Sequence, residues 1–253
     1  MPSMVITDCD HPHIDQEQEV AARLGLQLSL AHCTTEDEVI AAAGQAAALL
    51  VQYAPITRRV MEALPLLRVV SRYGVGVDSV DLDAAAELGI AVCNVPDYGT
   101  EDVSDHAIAL TLALTRGVAR LDRALRAGQS ELGAVGHLHR HTSRTFGVLG
   151  LGAIGAATAR KARGLGFTVI GADPQREVGT VTDEGVAVVS MDELQSRADV
   201  LSLHIPLNAA TAHLVDAAFI SAMKAGAVLI NTCRGGVIDT LALVDALTSG
   251  QLS

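Results

Sequence analysis

Three glycines with a fixed spacing form the clearest chemical pattern in this chain. Gly150, Gly152 and Gly155 make the G-x-G-x-x-G spacing between an apolar run, typical of a strand, and a stretch that predicts a helix. Gly150 permits a tight turn, Gly152 lets the backbone approach a pyrophosphate, and Gly155 lets the helix pack closely on the sheet. A helix that begins near Ala153 would direct free amides at the phosphates, so the pattern predicts a dinucleotide site without a basic side chain.

A carboxylate strengthens this interpretation, because the glycines alone are also compatible with an ordinary turn. Asp173 follows the next predicted strand, where it can accept hydrogen bonds from both ribose hydroxyls of an adenine nucleotide. Its charge would repel a 2′-phosphate, although Arg176 would soften that effect if its side chain folded back. The sequence therefore favours NAD over NADP as the cofactor.

Two more polar side chains lie at the ends of predicted strands. His204 ends the strand predicted over 200–204, and Arg234 follows the strand predicted over 227–232. Open α/β sheets bind ligands beyond the carboxyl ends of their strands. The guanidinium of Arg234 matches a carboxylate and can polarise a carbonyl, and the alternative is a surface arginine paired with an acid. For His204, a structural or cofactor-contacting role is favoured over a catalytic one.

A second glycine pair follows a strand predicted over 67–71. Tyr73 precedes Gly74, Val75 and Gly76, and successive free amides in such a turn form a concave anion site suited to a small carboxylate. A tight strand-to-helix turn that binds nothing explains the same glycines equally well.

The elements that must position these residues follow one pattern along the whole chain. Short Val, Ile and Leu-rich runs alternate with helical patterns, which predicts an α/β fold with parallel sheets covered by helices on both faces. We expect a first domain over 1–100 and a second over 101–253. Apolar residues at helical spacing predict one long helix over 101–128. The remaining strands are expected over 4–7, 27–30, 48–52, 90–94, 146–149, 168–172 and 186–189.

Composition argues against several classes of partner. The net charge of −11 disfavours nucleic acid and anionic membrane surfaces. Four cysteines without a C-x-x-C pair favour a reducing, cytoplasmic location. The first ten residues show no signal-peptide pattern, and no apolar run approaches the length of a membrane span. The histidines at 137, 139 and 141 and the Asp/His group at 8–13 lack a four-ligand pattern, so no metal site is expected.

Five segments, taken together and in order, resemble the D-isomer-specific 2-hydroxyacid dehydrogenases. The likeness is closest to the branch that contains phosphoglycerate dehydrogenase and the C-terminal-binding-protein corepressors. It spans essentially the whole chain. The segments are 72–78, 94–100, the glycine segment 145–155, 204–207 and 231–235.

This resemblance implies a fold and a set of roles. It implies a flavodoxin-like substrate domain, then a doubly wound Rossmann NAD-binding domain through which the protein forms a homodimer. Amides around Val75 and Gly76 would hold the substrate carboxylate, and Arg234 would be the catalytic arginine that binds the 2-keto or 2-hydroxy group. The implied cofactor contacts are Thr100, Ala153, Ile154, Asp173, His204 and Thr232.

The resemblance also leaves two functions open. Family members continue through a strand with a catalytic Glu and a Pro-His motif whose His is the acid/base, so the Rossmann domain is expected to lack its last strands here. A positioned acid/base increases the reaction rate by about 10²- to 10⁴-fold. Arg234 cannot take this role, because it cannot donate a proton near neutral pH. We therefore expect one of two functions. The first is an NAD-dependent oxidoreductase of a small D-2-hydroxy or 2-keto acid, of which this chain is either a fragment or a naturally truncated, impaired member. The second is a non-catalytic NAD(H)-binding regulatory or partner-binding module. No motif identifies the acid or the direction of reaction.

Overall fold

The computed structural model describes residues 3–129, 133 and 138–253, and these residues divide into two compact units. The first unit is Met1–Tyr98 and the second is Gly99–Ser253. The histidine at 137 lies outside the described residues. The functional assignment of the two predicted domains stays a prediction.

The first unit is built on a five-stranded parallel sheet. Its strand order, β2-β1-β3-β4-β5, is the flavodoxin-like order, which reverses direction between β1 and β3. The strands are β1 (Ser3–Ile6), β2 (Gln27–Leu30), β3 (Ala46–Val51), β4 (Val69–Arg72) and β5 (Ala91–Cys93).

Four helices cover this sheet, and side-chain caps fix the start of three of them. Thr35, Thr57 and Asp81 each accept a hydrogen bond from a first-turn amide. The buried faces of strands and helices meet in one apolar cluster, in which Leu49 and Val70 are fully buried. The helices are α1 (Asp15–Leu24), α2 (Glu36–Ala43), α3 (Arg58–Ala63) and α4 (Leu82–Glu87).

The second unit contains another five-stranded parallel sheet, in the order β10-β9-β6-β7-β8. Strand order reverses at β6, which makes its carboxyl end the switch point where such sheets bind ligands. The strands are β6 (Thr145–Leu149), β7 (Thr168–Ala172), β8 (Ala187–Val188), β9 (Val200–Leu203) and β10 (Val228–Asn231). The helices are α5 (Thr100–Thr115), α6 (Val118–Arg126), α7 (Ala153–Gly164), α8 (Met191–Arg197), α9 (Ala217–Ala222) and α10 (Thr240–Ser249).

The structure confirms the α/β prediction with two parallel sheets, and it confirms a helix that begins at Ala153. The prediction of one helix over 101–128 is wrong. α5 ends at Thr115, and Gly117 takes the left-handed conformation, with φ of 65°, before α6 begins at Val118. The apolar spacing continues across this break, so periodicity alone did not reveal it.

The last residues return to the edge of the second sheet. Leu252 is buried and forms a parallel bridge with Ala227, and the Ser253 amide donates to the Ala227 carbonyl at 3.0 Å. Among the described residues, no helix combines the length and apolar character needed to cross a membrane.

Candidate functional site

The turn from β6 to α7, which we call the glycine loop (residues 150–155), has two glycines that its own packing requires. A Cβ on Gly150, whose φ is +92°, would lie 2.4 Å from the carbonyl oxygen of His204. A Cβ on Gly155 would lie 1.9 Å from the carbonyl oxygen of Gly150. Backbone atoms cannot swing aside, so only glycine fits at these two positions.

Gly152 differs from the other two glycines, because a Cβ there would meet no atom within 4 Å. It is the N-cap of α7 and supplies no side-chain cap to the first turn. The amides of Ala153 and Ile154 belong to the first turn of a helix of twelve residues, and Gly152 and Ala153 at its positive end are exposed. This arrangement fits an anionic diphosphate placed against the loop.

Asp173 stands directly beside the glycine loop. Its Oδ2 accepts the amide of Leu151 at 2.7 Å, and its Oδ1 accepts the amide of Gln175 at 2.8 Å. The side chain of Leu151 also packs against the backbone of Gly171. A Cβ on Gly171 would lie 2.8 Å from the Cδ2 of Leu151. A carboxylate oxygen can accept more than one hydrogen bond, so Asp173 can hold the loop and still receive ribose hydroxyls.

His204 follows β9 at the same edge of the sheet. Its amide donates to the carbonyl of Leu149 at 2.8 Å, and its Nε2 lies 2.9 Å from the hydroxyl of Ser202. Burial lowers the pKa of His204 to about 4. The imidazole is therefore neutral near pH 7, which suits a hydrogen-bonding contact and not a proton donor.

Arg234 lies in the turn after β10, and its neighbours shape that turn. Asn231 donates through Nδ2 to the carbonyl of Arg234 at 2.9 Å and accepts the amide of Cys233 at 3.0 Å. The guanidinium of Arg234 donates to the Cys233 carbonyl at 2.9 Å. These contacts hold Arg234 at the carboxyl edge of the second sheet.

A cavity of about 630 Å³ lies between this turn and α5. Thr232 and Arg234 line it from one side, and Val103, His106 and Leu110 line it from the helix. Sequence reasoning missed the helix residues, and their i, i+3, i+7 spacing is the signal that could have placed them on one face.

Two buried hydroxyls provide a further test of whether a cofactor fits. Among the described residues, the hydroxyl oxygens of Thr100 and Thr232 are buried without a hydrogen-bond partner. An unsatisfied buried polar group costs about 1–3 kcal/mol, so a polar ligand would relieve this cost. Both residues belong to the predicted cofactor set, and the residues present fit a dinucleotide.

The turn after β4, which we call the 74–76 turn, lies in the first unit. Gly74 has φ of +121°, and a Cβ there would lie 2.0 Å from the guanidinium of Arg72. Tyr73 points elsewhere, since its hydroxyl donates to Glu17 at 2.9 Å. Burial and Glu17 raise the pKa of Tyr73. Because its hydroxyl already donates to Glu17, we expect any substrate contact at this position to come from the backbone.

The structure brings most of the predicted site residues to two sheet edges. The glycine loop, Asp173, His204, Thr232 and Arg234 all follow strands of the second sheet, and residues 73–76 follow β4 of the first. Within the described residues, no three His, Cys, Asp or Glu side chains come close enough to hold a metal ion.

The fold and this site define an α/β dinucleotide-binding protein, and comparison with known proteins identifies its family. Residues 108–253 match the family model "D-isomer specific 2-hydroxyacid dehydrogenase, NAD binding domain". The chain belongs to this family, and NAD is the cofactor of the domain that it matches. The predictions of the family and of NAD are confirmed.

Named relatives agree with this assignment. The chain is 36% identical over 246 residues to a D-3-phosphoglycerate dehydrogenase of Mycobacterium leprae, covering 93% of this chain and 45% of that protein. It is 38% identical over 202 residues to a glyoxylate reductase of Korarchaeum cryptofilum, covering 79% and 61% respectively. The structure of D-lactate dehydrogenase from Aquifex aeolicus with NAD and lactic acid superposes with a TM-score of 0.88 at 29% identity, covering 98% of this chain and 74% of that one. The chain thus spans less than two thirds of these curated relatives.

Proposed function

We propose that the protein is an NAD-dependent oxidoreductase that interconverts a small D-2-hydroxy acid and its 2-keto acid. The observation that carries this proposal is the position of Arg234 in the cavity that Thr232 also lines. A protein that only binds NAD has no need for a guanidinium fork at that edge of the sheet. The relatives named as dehydrogenases and reductases support the same reaction class.

The second unit would hold the cofactor. The amides of Ala153 and Ile154 would bind the diphosphate, and Asp173 would accept the ribose hydroxyls. NAD, when bound, takes up or supplies the hydride of such a reaction. The other proposed contacts are Thr100, Gly150, Gly152, Gly155, His204 and Thr232.

Two groups would hold the acid. Arg234 carries a permanent positive charge that can bind the oxygen at C2 and stabilise the charge that develops there. The amides of Val75 and Gly76 in the 74–76 turn would bind the carboxylate. We therefore propose that the first unit binds the substrate carboxylate, and that the second unit binds the cofactor and carries Arg234.

Substitution of Arg234 tests the proposal directly. NADH affinity and the reduction of glyoxylate, pyruvate and hydroxypyruvate would be measured for the wild type and Arg234→Gln. We expect turnover to fall by about 10²- to 10³-fold, because a group that stabilises developing charge is lost, while NADH affinity changes little. Arg197→Gln is the matched control, since Arg197 is exposed on α8 and pairs only with Glu193 among the ion pairs of the described residues.

The outcomes separate the two functions left open by the sequence. Turnover that survives Arg234→Gln would contradict the assigned role of this arginine. Tight NADH binding by the wild type, without turnover of any of the three acids, would favour a non-catalytic NAD(H)-binding module.

We also propose a cytoplasmic homodimer that forms through the second unit. Support comes from apolar side chains on its α5 and α6 surface, where Val118 is 55% exposed and Leu125 is 61% exposed. Light scattering would show twice the chain mass, and Leu125→Glu would shift the protein toward the monomer. A wild-type monomer at high concentration would contradict this proposal.

A further inference from the structure

We propose that Asn94 is a positioning residue that sets the direction of the backbone amides in the 74–76 turn. The inference rests on the proposed function, in which these amides bind the substrate carboxylate. Asn94 follows β5, and its Nδ2 donates to the carbonyl of Val75 at 2.7 Å.

The argument starts from peptide geometry. In a planar trans peptide, the C=O and the N–H of one unit point in opposite directions, and no cis peptide occurs in the described residues. The Val75 carbonyl and the Gly76 amide belong to the same unit. Because Asn94 binds that carbonyl, the Gly76 N–H points away from Asn94.

The preceding peptide unit is held from the same segment. The carbonyl of Gly74 accepts the backbone amide of Val95 at 3.0 Å. The Val75 N–H, which shares that unit, therefore points away from Val95. Two consecutive carbonyls bind the 94–95 segment, and two consecutive amides are left on the side of the turn opposite to it.

This arrangement is what an anion site built from backbone requires. Successive N–H groups that face one side form a concavity for a carboxylate. The hydrogen bond from Val95 to Gly74 joins backbone atoms, so no side-chain substitution removes it. The hydrogen bond from Asn94 to Val75 depends on the side-chain carboxamide. Asn94 is therefore the residue through which the orientation of the Gly76 amide can be tested.

The chemistry of the side chain at position 94 predicts which of two variants binds a carboxylate more weakly. Asn94→Ala removes the donor and leaves the peptide free to rotate. Asn94→Asp also removes the donor, and it places a negative charge beside a carbonyl oxygen and near an anion site. We expect the aspartate variant to bind a carboxylate more weakly than the alanine variant.

The test uses the full chain loaded with NADH and titrated with oxamate, an isostere of pyruvate. We expect Asn94→Ala to raise the Kd for oxamate about five- to tenfold, which is the effect of one lost hydrogen bond, and Asn94→Asp to raise it further. NADH affinity should stay at the wild-type value in both variants. Asn208→Ala is the matched control, because Asn208 also stabilises an exposed turn, accepting the Ala210 amide at 2.9 Å.

A second measurement needs no ligand. The ¹⁵N resonance of Gly76 reports the hydrogen bond of the carbonyl in its own peptide unit, so Asn94→Ala should shift it, and Asn208→Ala should not. Unchanged oxamate affinity in Asn94→Ala, or an unchanged Gly76 resonance, would overturn the inference. If the wild type binds NADH but not oxamate, the proposed carboxylate site fails instead, and the Gly76 resonance still decides whether Asn94 orients the amide.

Discussion

The 74–76 turn and the glycine loop both follow a parallel strand, yet they keep their shapes by different means. In the 74–76 turn, two carbonyls are held by hydrogen bonds from Asn94 and Val95, and the Asn94 bond lies at an exposed position. In the glycine loop, backbone atoms crowd the positions where side chains of Gly150 and Gly155 would lie.

This difference determines how each turn responds to change. A solvent-exposed hydrogen bond contributes about 1 kcal/mol, and a flexible neighbour can move when it is lost. Contact between backbone atoms cannot relax without moving a strand or a helix. We therefore expect substitutions in the glycine loop to destabilise the protein more than substitutions in the 74–76 turn, although both are proposed to bind anions.

Gly155→Ala should show the largest effect. Its Cβ would lie 1.9 Å from the Gly150 carbonyl oxygen, and overpacking of this kind costs about 3 kcal/mol. We expect the free energy of unfolding to fall by about that amount and NAD affinity to fall more than about 100-fold. Chemical denaturation and calorimetry measure the two quantities.

Gly152→Ala is the control in the same loop, because a Cβ there meets no atom within 4 Å. Its stability should stay within about 0.5 kcal/mol of the wild type. Equal stability of Gly155→Ala and Gly152→Ala would show that packing does not fix the shape of the loop.

A second prediction concerns pH and His204, whose backbone packs against Gly150 of the glycine loop. The pKa of His204 is about 4 in the folded chain, below its ordinary value of 6.5. The unfolded state binds the proton first as pH falls, so stability is lost from about pH 6.5 down to the folded pKa. Between pH 7 and pH 5 we expect this histidine to remove about 2 kcal/mol of stability.

His204→Gln should remove that component of the pH dependence. The free energy of unfolding would be measured at pH 7 and pH 5 for both proteins. His11→Gln is the comparison in the first unit, where His11 is exposed beside Tyr73, and it should leave the wild-type slope in place. A wild-type slope in His204→Gln would contradict the neutral state assigned to this imidazole.

Gly74→Ala should have the smallest effect of the three. Its φ of +121° strains any other residue, but the nearest atom to a Cβ is the end of the Arg72 side chain, which can rotate away. We expect a loss of about 1 kcal/mol in the free energy of unfolding.

Gly89→Ala is the matched control for Gly74→Ala, with φ of +69° and no atom within 4 Å. If Gly74→Ala lowered the free energy of unfolding much more than Gly89→Ala, the Arg72 side chain would be as rigid as the backbone around Gly155. The distinction between the two turns would then fail.

Much of the fold was predictable, because parallel strands buried on both faces give continuous apolar runs. The runs at 146–149 and 168–172 coincide with β6 and β7. The break between α5 and α6 was not predictable from periodicity, since the apolar spacing continues across Gly117. At the site, the glycine spacing indicated the loop, but nothing local indicated that Asp173 binds Leu151 or that Asn94 binds Val75.

The sequence by itself determined the alternation of strands and helices, the glycine spacing and the carboxylate after the next strand, because these depend on residue type and short-range spacing. Only the tertiary structure decided which carbonyls and amides are already occupied, how deeply His204 is buried, and which face of α5 lines the cavity with Arg234. Those properties depend on contacts between residues far apart in the chain. Amino-acid type specifies what a group can bind, and packing specifies what it does bind.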